Sequence, residues 1–189
     1  MNQMNKNILF FQTFLKSPKE VGSIIPSSKF LIKELLKNID FKNASCIVEY
    51  GPGTGCITSE ILKKARKDAK IFCFETNKKF CTYLKEKIKD ERLIIINDSA
   101  ENIKKNLKKY NVHNVDYVVS GMPFSTIPNN KKHLIIQETK SMLKTNGKFV
   151  IYQFLNNFKK YLRNYFSKIS AGYVPLNIPP CFVYVCENQ

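Results

Sequence analysis

The segment from Cys46 to Cys56, reading C-I-V-E-Y-G-P-G-T-G-C, limits what this chain can fold into more than any other stretch. Its first residues have the makeup of a short buried strand. Gly51, Gly53 and Gly55 then fall at alternate positions, and a helical pattern follows over Thr54 to Lys67. A strand that turns tightly into a helix through glycine-rich backbone is how an α/β protein brings its main chain against a nucleotide-like ligand. Glycine takes φ values closed to other residues and puts no side chain in the way. Glu49 stands two residues before the first glycine and places a negative charge at the strand's end. That charge favours a ligand with a cationic group over a pyrophosphate. A dinucleotide fingerprint would also need a glycine three places after Gly53, where this chain has Cys56.

Downstream, strand-like and helix-like patterns alternate. Strands are expected at Lys70 to Glu75, Leu93 to Asn97, Val115 to Ser120 and Lys148 to Phe154. Helices are expected at Lys78 to Lys89, Ala100 to Tyr110, Pro128 to about Leu143 and Asn156 to Phe166. Two closing strands, Tyr173 to Ile178 and Cys181 to Cys186, are split by Pro179-Pro180. That link is too short for a parallel crossover, so these two should be antiparallel neighbours. Upstream, helices are expected at Asn5 to Lys16 and Lys29 to Asn38, with Val21 to Ser28 as a loop. The chain therefore divides into an N-terminal helical segment, 1–40, and a ligand-binding domain, 41–189. The expected fold is α/β, a mainly parallel, doubly wound sheet of seven strands plus N-terminal helices. Five strand–helix units and a closing hairpin resemble the Rossmann-like sheet of class I methyltransferases, which implies that the last strand is antiparallel.

Two more acids sit at strand ends. Glu75 closes the second strand about twenty residues past the glycines, where a carboxylate can accept from both ribose hydroxyls. Asp98 follows the third strand, before Ser99 and Ala100. With the acid in front, the E-x-G-x-G-x-G pattern (Glu49, Gly51, Gly53, Gly55) resembles the first motif of class I methyltransferases. That resemblance implies S-adenosylmethionine as cofactor, with Glu49 at its amino group or sulfonium, Asp98 at the adenine amino group and the Ser99 N–H at a ring nitrogen. By its position alone, Asp98 is also, or merely, the cap of the helix that starts at Ala100. The loop Ile24 to Ser28 is the candidate lid, with Ser27 or Ser28 either binding the methionyl carboxylate or capping the next helix.

Length and composition, 189 residues with 43% hydrophobic content, suit one domain. No apolar run is long enough to cross a bilayer and no secretory leader is apparent, so the expected location is cytoplasmic. The 6 cysteines form no C-x-x-C pair and mostly fall in apolar strand patterns, and the 2 histidines show no ligand spacing. Structural thiols and no metal site are expected. A formal charge of +16 points to phosphate-rich partners, either nucleic acid or an anionic membrane surface. The excess is nearly all lysine, which also fits an A/T-rich genome. Between Asn5 and Lys16 the apolar positions make a broad aromatic face that includes Phe10, Phe11 and Phe14, flanked by Lys16 and Lys19. Such a helix either lies in a membrane interface or docks on the domain's own core.

The fourth strand runs into Ser120-Gly121-Met122-Pro123-Phe124. In class I methyltransferases the loop after this strand faces the methyl donor, and adenine-amino methyltransferases carry [DN]-[IL]-P-[YF] there. Pro123 and Phe124 match that motif, while Gly121 stands where the amide should be. F-L-K-S-P-K-E-V-G-S-I-I-P-S-S (Phe14 to Ser28), E-Y-G-P-G-T-G, V-V-S-G-M-P (Val118 to Pro123) and N-I-P-P-C-F-V-Y (Asn177 to Tyr184) together resemble bacterial phospholipid N-methyltransferases. Those enzymes methylate phosphatidylethanolamine towards phosphatidylcholine at the inner face of the membrane, to which they attach peripherally. Ser120, Gly121, Pro123 and Phe124 are then the candidate transfer site, working by positioning. Backbone carbonyls around Ser120 and Gly121 orient the ammonium, with Phe124 or a tyrosine adding cation–π attraction, or Phe124 only packs the loop. No dedicated base is identified, Ser120 also borders the cofactor, and a monomer is expected. The alternatives are an rRNA adenine N6-methyltransferase, favoured by charge and by M-P-F, and an inactive cofactor-binding interaction module.

Overall fold

The computed structural model describes residues 28–154, 156 and 158–189. Helix α1 (Lys29–Leu36) precedes β1 (Cys46–Tyr50), α2 (Cys56–Lys64), β2 (Lys70–Phe74), α3 (Lys78–Lys87) and β3 (Leu93–Ile96). A 3-10 turn (Ala100–Asn102) leads into α4 (Ile103–Lys108), then β4 (Val115–Ser120), a second turn (Phe124–Thr126), α5 (Asn129–Met142) and β5 (Leu143–Gln153). Helix α6 (Phe158–Leu162) and the strands β6 (Lys168–Val174) and β7 (Cys181–Glu187) close the described chain. The strands form one seven-stranded sheet in the order β3-β2-β1-β4-β5-β7-β6. All pairs from β3 to β5 are parallel, and β7 lies antiparallel between β5 and β6. The expected α/β class and the antiparallel final strand are both present.

Strand order reverses between β1 and β4, the switch point outside which open α/β sheets bind their ligands. Central strands read as continuous apolar runs because both faces are covered: every residue of Cys46–Tyr50 is buried. On one face Tyr50, Phe72, Val118, Phe149 and Ile151 pack with Phe124 and Phe158. On the other, Ile47, Val119, Val150 and Val183 pack under α1 and α2. Helix α1, which sequence reading assigned to the segment 1–40, contributes Leu31, Leu35 and Leu36 to this second layer.

Several boundaries differ from expectation by a few residues, and two differences change the topology locally. β6 runs Lys168–Val174, where the strand was expected over Tyr173 to Ile178. Pro175 has no N–H to give a ladder. The Asn177 side chain instead shapes a turn, donating to the Pro179 carbonyl at 2.7 Å. β5 begins at Leu143 because α5 stops at Met142, and Asn146, with φ +62°, sits inside the strand as a kink rather than after the helix. Five cysteines are buried, Cys56 is half-buried, and all six are free thiols. Burial pushes Cys46, Cys181 and Cys186 up to about 12.

Candidate active site

The glycine loop is the hinge of the site. Gly51, Gly53 and Gly55 have φ values of +67°, +54° and +80°, in the region that side chains disfavour. Backbone bonds clamp the loop to its neighbours: Gly51 N–H donates to the Phe74 carbonyl at 2.9 Å and Gly121 N–H to the Tyr50 carbonyl at 3.0 Å. A Cβ on Gly55 would lie 2.6 Å from Leu84 Cδ2, so the loop's approach to α3 requires glycine. A Cβ on Gly53 would meet nothing within 4 Å, which leaves backbone open to a ligand.

Glu49 lies beneath this loop, 1% exposed. Its Oε2 accepts from Thr58 Oγ1 at 2.7 Å and from Cys73 Sγ at 3.5 Å. Its Oε1 has no hydrogen-bond partner among the described residues. Burial pushes the carboxyl up to about 7, partly offset by the Thr58 and Cys73 hydrogen bonds and reinforced by Glu75. An unpaired buried carboxylate oxygen costs free energy, and a cation brought to it would relieve that cost.

Glu75 accepts from Gly53 N–H at 3.3 Å through Oε2 and from Asn77 N–H at 2.8 Å through Oε1. It ties the glycine loop to the start of α3, while burial raises its pKa. Each oxygen keeps acceptor capacity for a hydroxyl. Asp98 accepts from Asn102 Nδ2 at 2.8 Å and Asn106 Nδ2 at 2.7 Å, which helps to hold its carboxyl below the usual range. It therefore gathers asparagine side chains and is no backbone cap of the following turn, whose N-cap is Ser99. The Ser99 N–H donates to Asp98 Oδ1 at 2.7 Å, so the donor assigned to an adenine ring nitrogen is already engaged inside the chain.

Beyond β4, the buried Ser120 hydroxyl accepts from Met122 N–H at 3.2 Å. The Gln153 Nε2 donates to the Met122 carbonyl at 2.8 Å and fastens the loop to β5. Pro123 precedes the short turn over Phe124–Thr126. Phe124 decides between the two roles open to it. It is fully buried, with its ring 5.3 Å from Phe158 and 6.3 Å from Phe149 by centroids, so it packs the loop and offers no face to an ammonium.

Ser28 is the N-cap of α1, accepting from Leu31 N–H at 3.2 Å. Its own N–H donates to Asn177 Oδ1 at 3.2 Å, which joins the entry of α1 to the β6–β7 turn. Ser27, Phe10, Phe11, Phe14, Lys16 and Lys19 lie outside the described residues, as do the expected helix from Asn5 to Lys16 and most of the candidate lid. His113 and His133 are exposed, and His133 Nδ1 is 2.6 Å from the Tyr165 hydroxyl. Thr58, Cys73, Gln153 and Asn177 were not singled out from sequence. Cys73, Gln153 and Asn177 take their places through contacts with residues distant in the chain. The one local signal was Thr58, which falls in the first turn of the helix that follows the glycines.

Three acids at three successive strand ends, an unpaired buried oxygen on the first and open glycine backbone beside it suit a ligand with a cationic end and a nucleoside end. Fold and site together are those of a class I methyltransferase, an enzyme that uses S-adenosylmethionine. Residues 3–155 match the profile of the ribosomal RNA adenine dimethylase family, and the chain belongs to that family. It is 26% identical over 187 residues to an ornithine lipid N-methyltransferase from Singulisphaera acidiphila, covering 98% of this chain and 97% of that one. It is 28% identical over 124 residues to ribosomal RNA small subunit methyltransferase A from Mycoplasmopsis synoviae, covering 66% of this chain and 42% of that one. The chain thus spans under half the length of that RNA enzyme. Among solved structures, the N-methyltransferase NodS from Bradyrhizobium japonicum superposes with a TM-score of 0.67 at 10% identity, over 84% of this chain and 94% of that one, a likeness of fold.

Proposed function

We propose that the protein methylates the amino group of a membrane lipid, phosphatidylethanolamine and its methylated derivatives, towards phosphatidylcholine. The observation that carries this is Gly121. A loop that reads the exocyclic amine of adenine needs a polar side chain there, and this backbone position has none. Similarity running through nearly the whole of a lipid N-methyltransferase supports the same acceptor class.

When bound, S-adenosylmethionine supplies an activated methyl group on a sulfonium. Glu49, ionised, holds its cationic methionyl end; Glu75 accepts from the ribose, and Asp98 has one acceptor site left for the adenine amine. The loop Ser120 to Pro123, pinned by Gln153, presents backbone to the incoming amine. Positioning and water exclusion then carry the reaction. The amine must shed its proton before it attacks, because only the free amine has a lone pair for the methyl group.

Large apolar side chains border the carboxyl edge of the sheet. Phe30, Leu176 and Ile178 are 54%, 60% and 73% exposed. The register Gln153↔Phe182 brings the β6–β7 turn to the same end as the glycine loop. This edge, with the basic N-terminal residues, suits peripheral contact with an anionic bilayer. No helix among the described residues is long and apolar enough to cross one. Family membership and the +16 charge favour a second reading, methylation of adenine in ribosomal RNA. Incubation with labelled S-adenosylmethionine and phosphatidylethanolamine vesicles decides: labelled lipid supports the proposal, and label found solely in RNA overturns it.

A further inference from the structure

The face of the sheet that carries Glu49 has one more row of residues above it. Register pairs Glu49 with Val119 and Val119 with Val150. Parallel strands keep partners on one face, so two residues further on the row reads Gly51, Gly121, Tyr152. It lies at the carboxyl edge and straddles the switch point. Of these three only Tyr152 carries a side chain, and the row continues from it to Val183 on β7. A Cβ built on Gly121 would lie 3.3 Å from the Gly51 carbonyl oxygen, 3.6 Å from Tyr152 Cε1 and 3.7 Å from its hydroxyl. The phenol therefore stands in the space that any longer side chain at position 121 would enter. Tyr152 is half-buried and its ring is steadied edge-on by Phe154, with centroids 6.0 Å apart.

We propose that Tyr152 orients the acceptor nitrogen, and that Gly121 and Tyr152 together select an alkylamine over the planar amine of a base. The inference rests on the amino-lipid acceptor proposed above. A phenol oxygen accepts from an amine N–H, as an amide carbonyl would. It does so from the β5 side, with its oxygen beside the place that a side chain at 121 would take. An amide at 121 reads an amine in the plane of its base. With the phenol against Gly121, no amide stands there to fix that plane, and a tetrahedral nitrogen on a flexible headgroup meets the hydroxyl instead. Gln153, the next residue, binds the Met122 carbonyl, so β5 sets both the loop and the phenol that faces it.

The test compares wild type, Tyr152→Phe and Gly121→Asn on phosphatidylethanolamine vesicles, alongside cofactor affinity and melting temperature. Tyr152→Phe keeps the ring and removes the oxygen. Its kcat should fall about tenfold or more, with KM for vesicles and cofactor Kd each within about twofold. A merely structural role would instead lower the melting temperature and leave kcat of the folded fraction unchanged. Gly121→Asn should lose lipid methylation while still binding cofactor. Wild-type rates in Tyr152→Phe, or in Gly121→Asn, overturn the assignment. Failure of the lipid acceptor is separately visible, because wild-type enzyme would then label RNA and not vesicles, and the Tyr152 role would fall with it.

Discussion

Thr58 Oγ1 donates to Glu49 Oε2 at 2.7 Å while Glu49 Oε1, in the same buried carboxyl group, is left unpaired. The first turn of α2 thus aims the carboxylate that ends β1 and leaves half of it for a ligand. Because burial pushes this group up to about 7, it is largely protonated in the free enzyme below that pH.

A pH dependence follows from that pair. The folded pKa lies above the unfolded one, so the group favours folding most at low pH. That favour is lost as pH rises from the ordinary carboxylate range through about 7, amounting to roughly 3 kcal/mol over the window. A cationic cofactor end needs the ionised form, so affinity should weaken by up to about tenfold per pH unit below about pH 7. Glu49→Gln should bind weakly and without this slope. Calorimetric titration from about pH 6 to about pH 8 checks it; equal slopes in wild type and variant would remove Glu49 from the cofactor site.

Gly55→Ala should destabilise the fold by about 1–3 kcal/mol. The new Cβ would collide with Leu84 and force a side-chain-bearing residue to hold φ +80°. Urea unfolding measures this, and a variant as stable as wild type would mean that the α3 contact yields freely.

Phe124 should behave as a core residue. Phe124→Ala should cost about 3–5 kcal/mol, and Phe124→Leu much less, with lipid methylation by the leucine variant near wild type. Loss of activity in a stable Phe124→Leu enzyme would restore a substrate contact for the ring.

Leu176→Ser combined with Ile178→Ser should reduce co-sedimentation with anionic vesicles at unchanged cofactor affinity, since both side chains are exposed and make a small contribution to the core. Undiminished sedimentation would leave membrane contact to the residues before Ser28.

The glycine loop, the strand rhythm and the three acids were legible because each is a local signal: a residue type tied to a backbone conformation or to a strand end. The antiparallel final pair was legible from the shortness of the Pro179-Pro180 link. For Phe124 the choice between packing and cation–π contact stayed open, because its burial depends on Phe149 and Phe158, which arrive from β5 and α6. β6 was misplaced since Leu176 and Ile178 look like strand residues by type, yet the structure exposes them in a turn shaped by Asn177. Ser99 N–H was assigned outward, and Asp98 beside it takes it instead. Tyr152 carried no sequence motif; sheet register alone brings it to Gly121.

The acceptor is tested most directly by giving the enzyme both at once. With labelled S-adenosylmethionine, phosphatidylethanolamine vesicles and unmethylated ribosomal RNA in one reaction, extraction separates labelled lipid from labelled RNA. The account predicts label in the lipid phase as mono- and further methylated headgroups, with RNA at background. Label recovered as methylated adenine, with the lipid phase at background, would contradict it.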